Sequence, residues 1–273
     1  MTENNQKHSE RIKNIKRLII NTACKLKQGH IPSSFSSIEI LYTLYNCVAN
    51  ITKENAANLK RDRVIISKEH CRLAQLCILT ENGLLKSEYL DTYIQDGGIL
   101  GHDIYNIVSK HKLEAIDVSS GSLGHGASVG IGLAWNNSNN IYVIVGDGEL
   151  QEGSCWEAIL FAGHHRLKNF TLIIDRNYMQ IDNYTNNILD SSSNVANRIK
   201  SFGFDVFECN GHNISDLEKY LKIKTNKAKC IIANTIKGKE LEFVRERIGC
   251  ALFHWNLLSN DDAEKIIKEI DNV

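Results

Sequence analysis

The sequence predicts an α/β fold in which a parallel β-sheet is flanked by helices on both faces. Between residues 141 and 233, short apolar runs rich in β-branched residues alternate with helical patterns, and such a β-α-β-α-β-α-β series is joined in parallel by helical crossovers. The residues with chemical potential fall at the ends of the predicted strands, where open α/β sheets hold their ligands. No internal repeat or long low-complexity linker interrupts the pattern.

The elements follow in order. Residues 9 to 28 carry Ile12, Ile15, Ile19, Ala23 and Leu26 on one helical face, and Gly29 is the stop that leads to His30. A second helical pattern begins after Ser37, with Ile38, Leu41, Leu44, Tyr45 and Val48. Arg63 to Ile66 reads as a short buried strand that delivers Ser67 to His70 at its end. Ile141 to Val145 is the clearest strand and is ended by Gly146-Asp147-Gly148. A helix from about Ser154 to Gly163, a strand Phe170 to Ile174 and a polar loop Asp175 to Asn187 come next. Helix 194 to 201, strand Phe204 to Phe207, helix 214 to 223 and strand Cys230 to Ala233 complete the series. Asp261 and Asp262 open a last helix, favoured there by the positive end of its dipole.

The length of 273 residues admits one large domain or two small ones. A chain of this size buries roughly 75% of its unfolded surface. The expectation is a single domain over 1–273, with an N-terminal helical segment over 1–60 and a short C-terminal helical tail over 257–273. Lys+Arg and Asp+Glu are each 32, so no net field draws the chain to nucleic acid or to a membrane surface. The 8 cysteines form no Cys-x-x-Cys pair and several lie in apolar runs, as free thiols do in a reducing compartment. The polar start MTENNQKHSERIKNIKR is unlike a signal peptide, and no run approaches the ~18 apolar residues of a membrane span. A cytoplasmic location is expected, with a small molecule or another protein as partner.

Asp147 ends one strand and Asn177 follows the next, thirty positions later. Neighbouring strand ends in a parallel sheet lie ~5 Å apart, so a carboxylate and an amide oxygen would converge on one hard cation. A magnesium-type ion wants about six oxygens and commonly takes several from phosphate, so a diphosphate-bearing cofactor completes the cage. Gly146 and Gly148 allow close backbone approach, and the helix after them offers free N–H groups to anionic oxygen. Taken alone, Asp147 also suits an ordinary helix cap.

With these residues in place, the sequence resembles the transketolase family. Gly146-Asp147-Gly148 with Asn177 is similar to the thiamin diphosphate signature of that family. GDGELQEGSCWEA (146–158), SKEHCRLA (67–74), SSGSLGHGASVGIGLA (119–134) and KQGHIPSSFSSIEIL (27–41) resemble segments of its diphosphate-binding domain, and the likeness covers roughly residues 9 to 256. The resemblance implies the thiamin diphosphate-binding fold, and it implies that Asp147 and Asn177 ligate Mg2+ (or Ca2+ or Mn2+), with the carbonyl of Met179 as third oxygen. It further implies that Gly148, Gly121, Leu123 and His70 line the cofactor. His30, His70 and His102 would face its reactive end, His254 would lie near the diphosphate, and Glu152 and Glu157 would meet a partner in a proton-linked network. Histidine, titrating near pH 6.5, suits the proton relay such chemistry needs. The implied activity is transfer of a two-carbon ketol (glycolaldehyde) unit from a ketose or ketose phosphate to an aldose acceptor. It requires a separate C-terminal, pyrimidine-binding subunit, in an α2β2 assembly.

Three positions depart from the family pattern: Ile31-Pro32-Ser33-Ser34 replaces a proline-glycine pair, Glu69 stands where glycine is usual, and Trp255 follows His254 where glycine is usual. The substrate wall is therefore expected to differ. A 1-deoxyxylulose-5-phosphate synthase-like or 2-oxoacid-decarboxylating subunit is an alternative with the same cofactor, and a non-catalytic scaffold is a second. His8, His111, His164, His165 and His212 read as ordinary surface or core residues. Asp175 and Asp182 flank the metal loop and could assist it, although solvated loop carboxylates are the ordinary expectation.

Overall fold

The computed structural model describes residues 3–100, 113–118, 121–135, 137–189, 193–254 and 258–272. His102, His111 and Trp255 lie outside the described residues. The chain runs α1 (Glu3–Leu26), α2 (Ile31–Thr43), β1 (Arg63–Ile66), α3 (Arg72–Glu81), α4 (His125–Trp135), β2 (Ile141–Gly146) and α5 (Gly153–His164). It continues through β3 (Phe170–Arg176), α6 (Val195–Ser201), β4 (Asp205–Asn210), α7 (Ile214–Leu221), β5 (Lys229–Asn234) and α8 (Asn260–Asp271). The five strands form one sheet in the order β1-β2-β3-β5-β4, and every pairing is parallel.

Successive strand residues point to opposite faces, and the sheet separates two cores accordingly. Val64, Ile144, Ile173 and Ile231 pack against α1, α2, α3, α7 and α8. Ile65, Val143, Leu172 and Ile232 pack against α4, α5 and α6. β2, β3 and β5 thus read as nearly continuous apolar runs because both faces are covered, as parallel sheets require, whereas the edge strand β4 is only partly enclosed. None of the described helices is long and apolar enough to cross a membrane.

The structure differs from the expected elements in instructive places. Helix α2 begins at Ile31 rather than after Ser37, with Pro32 in its first turn, and all thirteen of its residues are buried. Four of them are serines, which the sequence pattern reads as a cap or loop. Here they are enclosed among neighbouring helices, and Ser36 and Ser37 return hydroxyl hydrogen bonds to the Ser33 carbonyl at 3.0 and 3.3 Å. Periodicity does not announce helices α3 and α4. Residues 72–79 of α3 are all buried, so no polar stripe marks the helix. The loop after β3 contains a two-residue antiparallel ribbon, Met179–Gln180 with Asn183–Tyr184. The last helix opens with a capping box between Ser259 and Asp262.

Candidate functional site

The parallel register places Gly146 opposite Asp175, so the residues after them leave the sheet side by side. Asp147 and Asn177 line one cavity of about 190 Å³ beyond the carboxyl ends of β2 and β3. They are 1% and 8% exposed. The Asp147 carboxylate accepts N–H groups from Gly148 at 3.0 Å and Tyr178 at 2.5 Å, and the Asn177 side-chain oxygen accepts the Met179 N–H at 3.0 Å. Tyr178 and Ile181 hold φ values of 62° and 49°, a strained backbone for an aromatic and a β-branched residue. Met179, Gln180 and Ile181 also line the cavity.

His70 sits on the turn after β1, His30 precedes α2 and His254 ends the short helix Ala251–His254. Their ring centroids are 6.1 Å (His30–His70), 4.6 Å (His30–His254) and 5.8 Å (His70–His254) apart. Three segments distant in sequence therefore bring imidazoles together, and His70 and His254 line the cavity. Leu123, Gly148 and Glu152 line it too. A Cβ on Gly148 would stand 2.7 Å from the Gln180 Cβ, so glycine is required there. Gly121 and Glu157 are exposed and do not border the cavity.

The structure adds residues that the sequence hid. Lys237, 4% exposed, lines the cavity, donates to the Ile181 carbonyl at 2.6 Å and stands 3.5 Å from His254 Nδ1. Glu149 is buried and its carboxylate joins three segments: Ser67 Oγ donates to it, and so do the backbone N–H groups of Gly124 at 2.8 Å and Gly146 at 3.1 Å. Gly124 adopts φ +83°, and a Cβ there would meet the Glu152 Cβ at 2.8 Å. Asp175 overturns its expected role: it is fully buried at the end of β3, ion-paired to the equally buried Lys68. It also accepts from Ser36 at 2.6 Å, Ser37 at 2.7 Å and Thr235. Glu69, the unusual residue before His70, is held by the Arg72 guanidinium at 2.7 and 2.9 Å, so its charge is matched within its own turn.

Electrostatics set the protonation states. Burial, with the charge of Asp175 second, pushes the Asp147 carboxyl up to about 7. A cation beside it would favour the ionised form. Burial and the neighbouring Lys68 depress Lys237 to about 8. Burial, followed by Lys68, His30, His254 and Lys237, drives His70 well below 6.5, and burial with Lys237 lowers His254 to about 4. His70 and His254 are therefore neutral at pH 7, each with one bare ring nitrogen able to accept a proton and one N–H able to donate a hydrogen bond. Because the folded value of His254 lies below its ordinary one, its stabilising contribution is complete above pH 6.5 and is lost as pH falls toward 4. Partial exposure of the ring limits the effect to about 2 kcal/mol. His254→Phe is expected to flatten the decline of Tm between pH 6.5 and 4, and an unchanged profile would refute the assignment.

The donor set suits a hard cation and a phosphate-bearing group. Among the described residues no group of three or more His, Cys, Asp or Glu side chains is arranged as a metal site. One carboxylate, one amide oxygen and a carbonyl instead leave the remaining positions for phosphate oxygen and water. Ser33 Oγ and Gln180 Oε1 are buried at the cavity without a hydrogen-bond partner, and buried polar atoms left in that state await a ligand or water.

The family model described as the transketolase, thiamine diphosphate binding domain matches residues 7–266. One subunit of the apulose-4-phosphate transketolase of Actinobacillus succinogenes is 34% identical over 263 residues, spanning 93% of this chain and 92% of that protein. The 6-deoxy-6-sulfo-D-fructose transketolase subunit SqwG of a Clostridium species is 35% identical over 237 residues, 84% of each chain. The crystal structure of transketolase from Campylobacter jejuni superposes with a TM-score of 0.81 at 25% identity, covering 99% of this chain and 43% of the other.

Proposed function

This chain belongs to the transketolase family through its thiamine diphosphate binding domain, and from that premise we propose that it is the diphosphate-binding subunit of a two-component transketolase. The reading takes residues 1–273 as one such domain. It assigns the chain the transfer of a two-carbon ketol unit from an anionic ketose, a ketose phosphate foremost, to an aldose. The observation that carries it is the convergence of Asp147 and Asn177 in one cavity with Lys237 and the unsatisfied atoms of Ser33 and Gln180.

In this reading Asp147, Asn177 and the Met179 carbonyl hold Mg2+ (Ca2+ or Mn2+ substituting). Lys237, Gly148 and Leu123 receive the diphosphate. When bound, thiamin diphosphate supplies the nucleophilic carbon and the electron sink for carbon-carbon cleavage. His30 and His70 would orient the donor hydroxyls with His254 nearer the diphosphate, and the neutral His70 ring would accept a proton from them. His102 belongs to the same proposal, although it lies outside the described residues.

A separate pyrimidine-binding subunit in an α2β2 complex completes the proposal. Relatives of matching length are named as transketolase subunits, which supports it. The segment leaving the cavity exposes Tyr178, Ile181, Tyr184, Ile188 and Leu189, an apolar rim of the kind that partners cover. Glu152 at the mouth and Glu157 on α5 would face that partner. All eight cysteines are free, which suits the cytoplasm. The test mixes the chain with its pyrimidine-binding partner, magnesium and thiamin diphosphate. Glycolaldehyde transfer from a ketose phosphate is expected only when both chains are present. Release of carbon dioxide from pyruvate instead, or no turnover with any ketose, would overturn the proposal.

A further inference from the structure

The pole of the sheet opposite the cofactor cavity carries a second cavity, of about 330 Å³, at the amino-terminal ends of β2, β3 and β5. Lys168, Lys222, Lys224 and Lys229 line it, and no carboxylate among the described residues does. Of the four lysines only Lys222 has a carboxylate partner among the described residues, Glu218 at 2.5 Å, and Asp62, bonded to Asn140 at 3.0 Å, is not part of the lining. The cavity therefore keeps an excess of positive charge.

Its floor is built by strand register. Tyr142 pairs with Thr171, and Thr171 with Lys229, so the three residues stand abreast on adjacent strands, ~5 Å apart, with side chains on one face. They are 5%, 5% and 6% exposed. Among the described residues neither the Tyr142 nor the Thr171 hydroxyl meets a hydrogen-bond partner. The Lys229 ammonium donates to the Leu221 and Ile223 carbonyls at 2.6 and 2.9 Å, which leaves one of its three hydrogens. Burial alone lowers its pKa to about 8, as for a cation that lacks a counter-ion.

Two hydroxyls open to the cavity on otherwise enclosed residues and the ammonium of Lys229 in a row, under a rim of three further lysines, form a donor array facing the cavity with nothing to receive it. We propose that this cavity is a binding site for the phosphate group of a small phosphorylated metabolite, separate from the cofactor site. The cavity has room for a phosphate and a short carbon skeleton, and its Asn140, Asn169 and Ser138 suit hydroxyls on such a skeleton.

The test titrates the full chain with inorganic pyrophosphate at low salt, followed by calorimetry. The Asp147→Ala chain, whose cofactor site is disabled, is titrated in parallel. One pyrophosphate site is expected to survive Asp147→Ala. It should weaken by about tenfold or more in Tyr142→Phe/Lys224→Ser, since two donors to an anion are removed. Lys168→Ser/Lys224→Ser is a second, wholly surface-exposed variant that should weaken it without affecting the fold or ketol transfer. Loss of all binding in Asp147→Ala, or affinity unchanged in both double variants, would overturn the proposal. Inorganic phosphate and ribose 5-phosphate then separate the sources: tighter binding of the ester identifies a phosphorylated polyol, and equal binding identifies free phosphate.

Discussion

Asp147→Ala is expected to lower ketol transfer by the assembled two-subunit enzyme by more than about 100-fold, because even outer partners of metal ligands cost 10- to 100-fold and this residue would be a ligand itself. It should also abolish the rise in Tm that magnesium and thiamin diphosphate produce. The cofactor-free chain should behave in the opposite sense. Burial and the adjacent Asp175 raise the Asp147 carboxyl to about 7, so above that pH the fold carries an ionised group it disfavours. Asp147→Asn keeps the shape, removes the charge, and is expected to hold or raise the Tm of the unliganded chain at pH 8. Activity undiminished in Asp147→Ala would remove the metal from the proposal. A large fall in unliganded Tm would instead make Asp147 structural.

The second large effect concerns stability. Lys68 and Asp175 are both wholly buried, and the carboxylate also accepts hydroxyls from Ser36, Ser37 and Thr235. The Lys68 charge, aided by those hydrogen bonds, overcomes burial and draws the Asp175 pKa down to about 2. Removing one partner strands the other charge in the core, at a cost of about 3–5 kcal/mol. At roughly 2–4 °C per kcal/mol for a chain of this size, Asp175→Ala should lower Tm by about 10 °C. Lys68→Met/Asp175→Leu should recover most of that loss, since a matched apolar pair avoids the desolvation penalty. A Tm within about 2 °C of wild type in Asp175→Ala would show that the pair contributes little.

Much of the sheet was legible because its strands are short apolar runs ended by chemistry. Arg63 to Ile66, Ile141 to Val145 and Phe170 to Ile174 could be read directly, and the Gly146-Asp147-Gly148 and Asn177 spacing located the cavity. What stayed hidden was hidden for physical reasons. Helix α3 is buried on all sides, so its pattern lacks the amphipathic period that betrays a helix. The serines of α2 read as a terminus, although each is buried. Lys68, Glu149, Asp175 and Lys237 are charged, and single-residue expectation sends charge to solvent. Only the fold shows that each is enclosed. The available signals were positional: Lys68 follows β1 and Asp175 lies near the end of β3, on the far side of β2, Glu149 follows the GDG turn, and Lys237 precedes Gly238 just beyond β5.

The Glu149 carboxylate has a bearing on how the cavity admits a guest. It fastens the tip of β1 through Ser67, the glycine loop through Gly124 and the GDG turn through Gly146, so the three walls are riveted at one point. Prising any wall aside would strip a buried anion of its donors, which is costly. Entry would then proceed through the open mouth into a vessel already shaped, and in the proposed complex a second polypeptide would act as a stopper rather than as a mould.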